Sequence, residues 1–408
     1  MNMKKLPMPT GKDIGHALLI GLWFMFLTFP LLVIKVNPGE QTVSWRWANM
    51  LWVGGASAAM ALAGRLIVAH RAARAEHPSP KPGWFAVQST LSQHFTPDRL
   101  WLLGGIIILI FLALPLMFST YQVNIMTTAL MYVILGLGLN IVVGFAGLLN
   151  LGHVAFYAVG AYTYGLLHLH FNLGFWIALP IGGLMGGLFG ILLGFPVLRL
   201  RGDYLAIVTL GFGEIIRLVL VNWGDLTQGP SGIADIPRPG LFGLDLSLNQ
   251  YLIYQYYLTV IMMFFTIFVV NRLRYSRLGR AWFALREDEI ACQAMGINKT
   301  AIKLTAFSLG AAWAAMAGVL FAAKTTFINP DSFTFMESAF ILCIVVLGGM
   351  GSITGVVLAA LILMLLPEYL RAVAEYRMLV FGAVLVVLMI VRPSGLIPAI
   401  RRTYSAMR

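Results

Sequence analysis

The sequence predicts an all-α polytopic membrane protein with about 10–12 transmembrane segments. Of its 408 residues, 59% are hydrophobic and only 11% are charged, whereas a soluble domain carries about 25% charged residues. Several apolar runs have close to 20 residues, the length that a helix needs to cross about 30 Å of hydrocarbon. The candidate spans are 14–34, 47–69, 100–118, 123–143, 153–171, 175–198, 204–221, 251–271, 304–323, 338–348, 353–370 and 378–391, of which 338–348 is too short to cross alone.

The basic residues predict the orientation of these spans. Residues 1–13 carry three lysines and precede an apolar run without a small-residue cleavage site, which indicates an uncleaved first span rather than a signal peptide. With the N-terminus in the cytoplasm, the inside segments hold 21 of the 28 Lys and Arg residues, as expected when positive charge stays inside. The net charge of +12 is therefore attributed mainly to topology, with nucleic-acid binding as the less favoured alternative.

Composition divides the chain into three parts. Residues 1–99 are predicted to form a two-span N-terminal extension followed by a cytoplasmic linker, because 70–99 is polar and contains four prolines. Residues 100–400 form the predicted transmembrane core, and 401–408 a basic cytoplasmic tail. Within the core, the Gly-, Pro- and Asp-rich segment 222–250 predicts an ordered external loop.

Two glycine-broken segments predict a transport function. They are 144–152 (GFAGLLNLG) and 348–355 (GGMGSITG), and they occupy comparable places in the core. Interrupted helices in two halves of a membrane protein indicate a transport pathway. The sequence contains no P-loop, HExxH, paired CxxC or GxSxG motif, so no catalytic or metal site is predicted.

The predicted span 204–221 carries two charged residues, Glu214 and Arg217, whereas the only other charges in the predicted spans, Arg65 and Glu368, stand singly near span ends. Residues three apart on a helix are neighbours, so two interpretations are open. The two side chains form an ion pair that lowers the cost of burying each charge, or they line a polar pathway. Because proton relays are otherwise missing, a pathway powered by partner subunits is favoured over an ion-coupled carrier, a channel or a membrane enzyme.

The connector 272–303 between two spans is the most informative polar region. Glu287, Asp288 and Glu289 are predicted to open a short helix, because acidic groups favour the N-terminal end of the helix dipole. Gly296 is predicted to end that helix. The predicted helix 287–296, of two to three turns, is either a solvated connector or an element that inserts into a cytosolic partner.

The connector and the core resemble a known family. Residues 289–297 (EIACQAMGI) resemble the EAA…G loop of ABC importer permeases, which docks on the ATPase subunits. Residues 139–153 and 198–217 resemble the signatures of branched-chain amino acid permeases of the LivM/BraE type. Further matches cover 286–291, 330–335, 346–352 and 392–396, so the resemblance extends over about 100–400. It implies an ABC importer permease bundle in a bacterial inner membrane.

The resemblance also implies a function and partners. The chain would be the permease subunit of an ATP-driven, binding-protein-dependent importer of leucine, isoleucine and valine. It would pair with a second permease of the LivH type, two cytosolic ATPases of the LivG/LivF type and a periplasmic amino-acid-binding protein. ATP and Mg would bind to the ATPases, so this chain would carry no cofactor and would not itself be an enzyme.

The resemblance implies a docking surface for the binding protein and two sets of site residues. The binding protein is expected to dock on 222–250 and 329–337. The ATPase coupling residues are Arg286, Glu287, Asp288, Glu289, Ala291 and Gly296. The candidate pathway residues, for which helix-to-helix hydrogen bonds or close packing are the alternative, are Asn140, Asn150, His153, Thr209, Glu214 and Gly349.

Overall fold

A computed structural model gives the fold. It describes residues 111–115, 117–197, 200, 202–240, 247–369 and 395–398, with short stretches between 15 and 61 and between 382 and 386. The predicted linker 70–99, the tail 401–408 and most of the predicted span 378–391 lie outside the described residues. The chain forms two compact units, Met1–Leu102 and Leu103–Arg408.

The first unit contains a β-hairpin that was not predicted. Strand β1 (Ile34–Asn37) pairs antiparallel with β2 (Thr42–Trp45), with Ile34 opposite Trp45. Helical residues described between 15 and 29 and between 47 and 61 flank it in the sequence. Four β-branched residues stand in these two short strands (Ile34, Val36, Thr42 and Val43), and such residues fit a pleated strand well. The region between the first two predicted spans is therefore a hairpin rather than an irregular loop.

The described part of the second unit consists of helices joined by short turns. One π-helical turn, Asn140–Phe145, continues the first helix. The helices are α1 (Thr120–Leu139), α2 (His153–Phe171), α3 (Phe175–Val197), α4 (Asp203–Asn222), α5 (Gly224–Thr227), α6 (Leu248–Arg274), α7 (Arg277–Glu287), α8 (Glu289–Ala294), α9 (Lys299–Thr325), α10 (Phe335–Gly348) and α11 (Ile353–Tyr369).

Six helical segments among the described residues are long and apolar enough to cross a membrane. This confirms an all-α polytopic membrane protein. One expectation was wrong: the segment predicted as 338–348 is part of a 19-residue span, Pro330–Gly348. The α-helix of this span begins at Phe335, and the carboxylate of Glu337 in its first turn accepts a hydrogen bond from Tyr132, which lowers the cost of placing that charge there.

Small residues let the central helices approach closely. A methyl group added at Gly160 of α2 would lie 1.9 Å from the carbonyl oxygen of Ala315 of α9. A methyl group added at Gly318 of α9 would likewise lie 2.1 Å from the backbone carbonyl oxygen of Tyr157 of α2. Close backbone approach at small residues is the usual way that helices associate in membranes. The helices α2 and α9 therefore cross with their backbones in close contact.

The two ends of the second unit are distinct. At one end, Lys324 near the end of α9 donates to the carbonyl oxygen of Asn124 near the start of α1, at 3.2 Å. Close to the same end, Ile233 and Ile328 exchange backbone hydrogen bonds of 2.9 and 3.0 Å, which join the segments 223–240 and 326–334. At the other end, Arg286 of α7 reaches the last turn of the helix that α1 begins. The connector therefore lies opposite to the joined loops.

Candidate coupling and translocation site

The connector contains two helices rather than the single helix 287–296 that was predicted. Glu287 ends α7, and Asp288 caps α8, which runs only from Glu289 to Ala294. The Asp288 carboxylate accepts hydrogen bonds from the backbone N–H groups of Ala291 at 3.0 Å and Ile290 at 2.8 Å. These bonds lower the pKa of Asp288 and keep the cap ionised. Because an N-cap has extended backbone, Asp288 interrupts the predicted helix.

Gly296 completes the end of α8. It has φ +79°, a conformation that glycine adopts without strain. The N–H of Ile297 then bonds to the carbonyl oxygen of Cys292 at 3.1 Å, which closes the helix end. Ile290 in the first turn of α8 and Met295 at its end are 70% and 81% exposed, and Ala291 is exposed too. The short helix thus presents apolar side chains at its surface.

Two polar contacts fix the connector to the start of α9. The Glu289 carboxylate accepts from Lys303 at 2.9 Å and lies 3.7 Å from the Lys299 ammonium group. Lys303 is buried, so this pair is less screened by water than a surface ion pair. Trp282 of α7 donates its ring N–H to the carbonyl oxygen of Ile302 at 3.0 Å. A displacement of α8 would therefore act directly on α9.

Arg286 joins the connector to the first glycine-broken segment. Its guanidinium donates to the carbonyl oxygen of Gly144 in the π-helical turn. Its side-chain stem covers Gly147, where an added methyl group would lie 2.7 Å from the Arg286 Cγ. The rings of Phe283 and Phe145 pack alongside, with centroids 5.2 Å apart. The motif placed Arg286 among the ATPase coupling residues, and the structure shows that its side chain binds within this chain.

The two glycine-broken segments meet beside this contact. The Asn140 side-chain oxygen accepts from the backbone N–H of Gly351 at 2.9 Å. Gly144 also lies against that N–H, since an added methyl group would be 2.6 Å from it. Gly349 has φ +106° and its N–H closes the last turn of α10 on Val345 at 3.1 Å. The glycine-containing turn that follows α10 therefore packs on the π-helical turn.

The predicted polar pathway residues lie inside the bundle. Asn140, Asn150, His153 and Thr209 are each 0% exposed. Thr209 accepts from the N–H of Leu151 at 3.0 Å, and Asn150 accepts from the N–H of Gly152 at 3.0 Å. Such hydrogen bonds support the turn between the π-helical segment and α2. In this conformation of the chain, these four side chains do not reach its surface.

Glu214 and Arg217 form the ion pair that their spacing allows. Arg217 Nε donates to Glu214 Oε2 at 2.9 Å, and the side chains of Arg217 and Glu214 are 27% and 34% exposed, respectively. The structure adds Asp331, whose Oδ1 lies 3.9 Å from a terminal guanidinium nitrogen of Arg217. This third charge was assigned to an outer loop, and a sequence separation of more than one hundred residues hid the contact.

Glu337 is an intramembrane acid that the sequence analysis missed. It was placed in an outer loop, but it lies in the first turn of α10 and accepts from Tyr132. Tyr132 is twelve residues into α1, or about 18 Å from the start of that helix. Threonine is a common N-cap residue, so Thr334, which stands at the N-cap of α10, was the local signal that this helix begins before Glu337.

Comparison with known proteins decides the family. The family model described as "Branched-chain amino acid transport system / permease component" matches residues 121–389. The chain belongs to this family. It is 51% identical over 324 residues to the LivM permease protein of Salmonella typhimurium, covering 74% of this chain and 76% of that protein. The LivM protein of Escherichia coli K12 is 52% identical over 309 residues, covering 71% and 73%.

A second kind of permease is a more distant relative. The LivH permease protein of Escherichia coli K12 is 28% identical over 306 residues, covering 69% of this chain and 96% of LivH. No solved structure matches the chain. The matched region 121–389 of this branched-chain amino acid permease contains the connector, both glycine-broken segments and the Glu214–Arg217 pair.

Replacing Asp288 with alanine is expected to loosen α8 selectively. The variant loses both hydrogen bonds to the first-turn N–H groups of α8, and no other side chain caps this helix. Hydrogen exchange should therefore speed up at Cys292–Met295, while exchange in α9 stays as in the parent protein. Asp288→Asn, which retains an accepting oxygen, is the matched control. Equal exchange rates in the alanine variant and the parent would contradict the capping role.

Proposed function

We propose that this chain is the inner-membrane permease subunit of an ATP-driven, binding-protein-dependent importer of leucine, isoleucine and valine. Family membership and about 51% identity to LivM proteins support the transported class. The observation that carries the coupling role is the connector, which exposes an apolar two-turn surface and is fixed to two separate parts of the bundle. ATP and Mg bind to partner subunits, and this chain performs no chemistry.

We propose four kinds of partner besides the lipid bilayer. A second permease of the LivH type completes the pathway, since LivH proteins are related to this chain over almost their full length. Two cytosolic ATPases of the LivG/LivF type receive α8. A periplasmic amino-acid-binding protein docks on the opposite end, where the segments 223–240 and 326–334 are joined. The N-terminus then lies in the cytoplasm.

The contacts of the connector give a route for the ATPase movement. ATP binding would displace α8, and the Glu289–Lys303 pair would carry that displacement into α9. Arg286 would carry it into the π-helical turn and, through Asn140, to Gly351 of the second broken segment. Isolated π-helical turns often occur at functional sites. A state is shifted only if ATP or substrate binds the two states differently.

Reconstitution of the complete complex in proteoliposomes tests the function. Leucine together with the binding protein should stimulate ATP hydrolysis, and labelled leucine should accumulate only when ATP is present. Accumulation of leucine without ATP would indicate an ion-coupled carrier instead. If leucine and the binding protein do not stimulate ATP hydrolysis, the proposal of an amino-acid importer is wrong.

Reversing the charge of Glu289 is expected to abolish leucine uptake. In Glu289→Lys, three ammonium groups would lie close together, because Lys303 and Lys299 already face this position. Gly296→Arg should have the same result, since arginine is strained at φ +79° and enlarges the docking surface. Both variants should still insert in the membrane at parental levels. Unchanged uptake by both variants would refute the coupling assignment.

A further inference from the structure

One face of α4 exposes large apolar side chains, and two charged residues lie beside that face. Its uncovered side chains follow one stripe, at positions 204, 207, 208, 215, 218 and 219. Glu214 and Arg217 flank this stripe. Glu214 lies eleven residues after Asp203 and eight before Asn222, or about 16 Å and 12 Å along the helix. Glu214 is thus near the middle of the span, and Arg217 lies five residues, or about 8 Å, before its end at Asn222.

Contact with lipid hydrocarbon would destabilise the Glu214–Arg217 pair, because the pair is charged. Charged side chains within spans face a bundle interior or a water-filled cavity, because hydrocarbon does not solvate them. Here about a third of each side chain is uncovered. Long side chains at helix ends reach the membrane surface, but Glu214 is too short and too far from either end to do so. The flank of α4 that holds the pair is therefore expected to face water or another protein rather than lipid.

The charges continue towards the surface of the protein. Asp331 lies in the 3-10 turn Pro330–Ser332, and its side chain is 76% exposed. From this exposed carboxylate the order is negative, positive, negative, ending at Glu214. Arg217 bonds Glu214 through Nε, and its terminal nitrogen is 3.9 Å from Asp331, beyond hydrogen-bond distance. The terminal nitrogens of the Arg217 guanidinium can therefore donate hydrogen bonds to the carboxylate of a ligand.

We propose that Glu214 and Arg217 form a transit site for the zwitterionic head of an amino acid. The α-carboxylate would bind the guanidinium edge of Arg217, which matches a carboxylate with two parallel hydrogen bonds. The α-ammonium would bind Glu214, and an aliphatic side chain would lie on the apolar stripe beside Ile215 and Leu218. This inference rests on the proposed function, because the second permease of the importer forms the other wall of the site.

The ion pair also sets the strength of the site. When no amino acid is present, each charge neutralises the other at 2.9 Å. A zwitterion must replace this contact with two similar contacts, so its net binding is weak. Weak binding suits a pathway that receives its substrate from a high-affinity binding protein and must release it. A purely structural ion pair predicts no such exchange.

Neutral variants in the full importer complex test the transit site. The variants are Glu214→Gln, Arg217→Gln and the double variant, which leaves no unpaired charge. Each is reconstituted with the second permease, the ATPases and the binding protein, and leucine uptake and ATP hydrolysis are measured together. We expect uptake to fall at least about tenfold in all three, as is usual when one partner of a close charge pair is removed, while binding-protein-stimulated hydrolysis stays within about twofold of the parent.

The outcomes separate this proposal from the proposed function. The transit site is supported if the parent complex takes up leucine and the three variants take up little of it while they still hydrolyse ATP. If the double variant transports leucine at the parental rate, the transit site is wrong and the importer stands. If the double variant does not assemble, the pair is a structural element and the transit site is also wrong. A parent complex that transports no amino acid overturns the proposed function itself.

Discussion

Arg286→Gln is expected to uncouple ATP hydrolysis from leucine uptake. The guanidinium of Arg286 donates to Gly144 in the π-helical turn, and a glutamine side chain is too short to make this bond while lying on Gly147. The variant keeps the Glu289–Lys303 pair and the Asp288 cap, so α8 should still bind the ATPases. Leucine transported per ATP hydrolysed should fall at least about fivefold, the lower limit of ordinary coupling energies.

The control for this variant lies on the same helix. Arg280 is exposed and donates to the carbonyl oxygen of Tyr275 at 3.1 Å, a contact local to the connector. Arg280→Gln removes one positive charge from α7 as Arg286→Gln does, but it leaves the contact with Gly144 intact. We expect its transport ratio to equal that of the parent. If both variants show the same ratio, net charge rather than the Gly144 contact sets the coupling.

Local signals predicted the end of α8 at Gly296 but not the break between α7 and α8, because Asp288 caps α8 instead of lying within a single helix. Asp288 and Gly296 act through residues within three positions of themselves, so their capping roles can be read from the sequence. The contact of Arg286 with Gly144 spans 142 positions, and nothing local distinguishes this arginine from an exposed one. A sequence motif could therefore assign Arg286 to coupling without showing that it binds within the chain.

The membrane charges show the same limit. The i, i+3 spacing predicted the Glu214–Arg217 pair, because helix geometry alone brings the two together. Glu337 was misplaced, since its partner Tyr132 is 205 positions away and a carboxylate without a visible partner suggests an outer loop. The apolar periodicity fixed the class of the fold and most span positions. It could not show which polar side chains face one another.

Buried polar residues were the least predictable part of the candidate pathway. Asn140 and His153 stand in a signature that resembles a permease motif, which favoured a role in substrate passage. Asn150 and Thr209 make their described hydrogen bonds at the turn that connects the π-helical segment to α2, whereas Asn140 bonds to Gly351, so a role of these buried side chains in substrate passage stays a prediction. Partial exposure, which no sequence pattern reports, singles out Glu214 and Arg217 on α4.

Gly160→Ala is expected to prevent the bundle from assembling. An added methyl group at Gly160 would lie 1.9 Å from the carbonyl oxygen and 2.5 Å from the carbonyl carbon of Ala315. Because these are backbone atoms, no rotamer change relieves the overlap, and α2 must move away from α9. That movement would also separate Gly318 from Tyr157, the second close approach of the same crossing. The loss of folding free energy should exceed the roughly 1–3 kcal/mol that is usual for overpacking.

The neighbouring helix provides a matched control for this substitution. Gly187 of α3 also faces α9, but its nearest described atom would be the Ser308 hydroxyl oxygen at 3.3 Å, a side-chain atom that can rotate away. Alanine favours a helix interior by about 1 kcal/mol over glycine, so Gly187→Ala should leave thermal stability in detergent unchanged or slightly raised. Gly160→Ala should yield little monodisperse protein in size-exclusion chromatography. Equal yields and melting temperatures for the two variants would mean that α2 and α9 do not depend on this close approach.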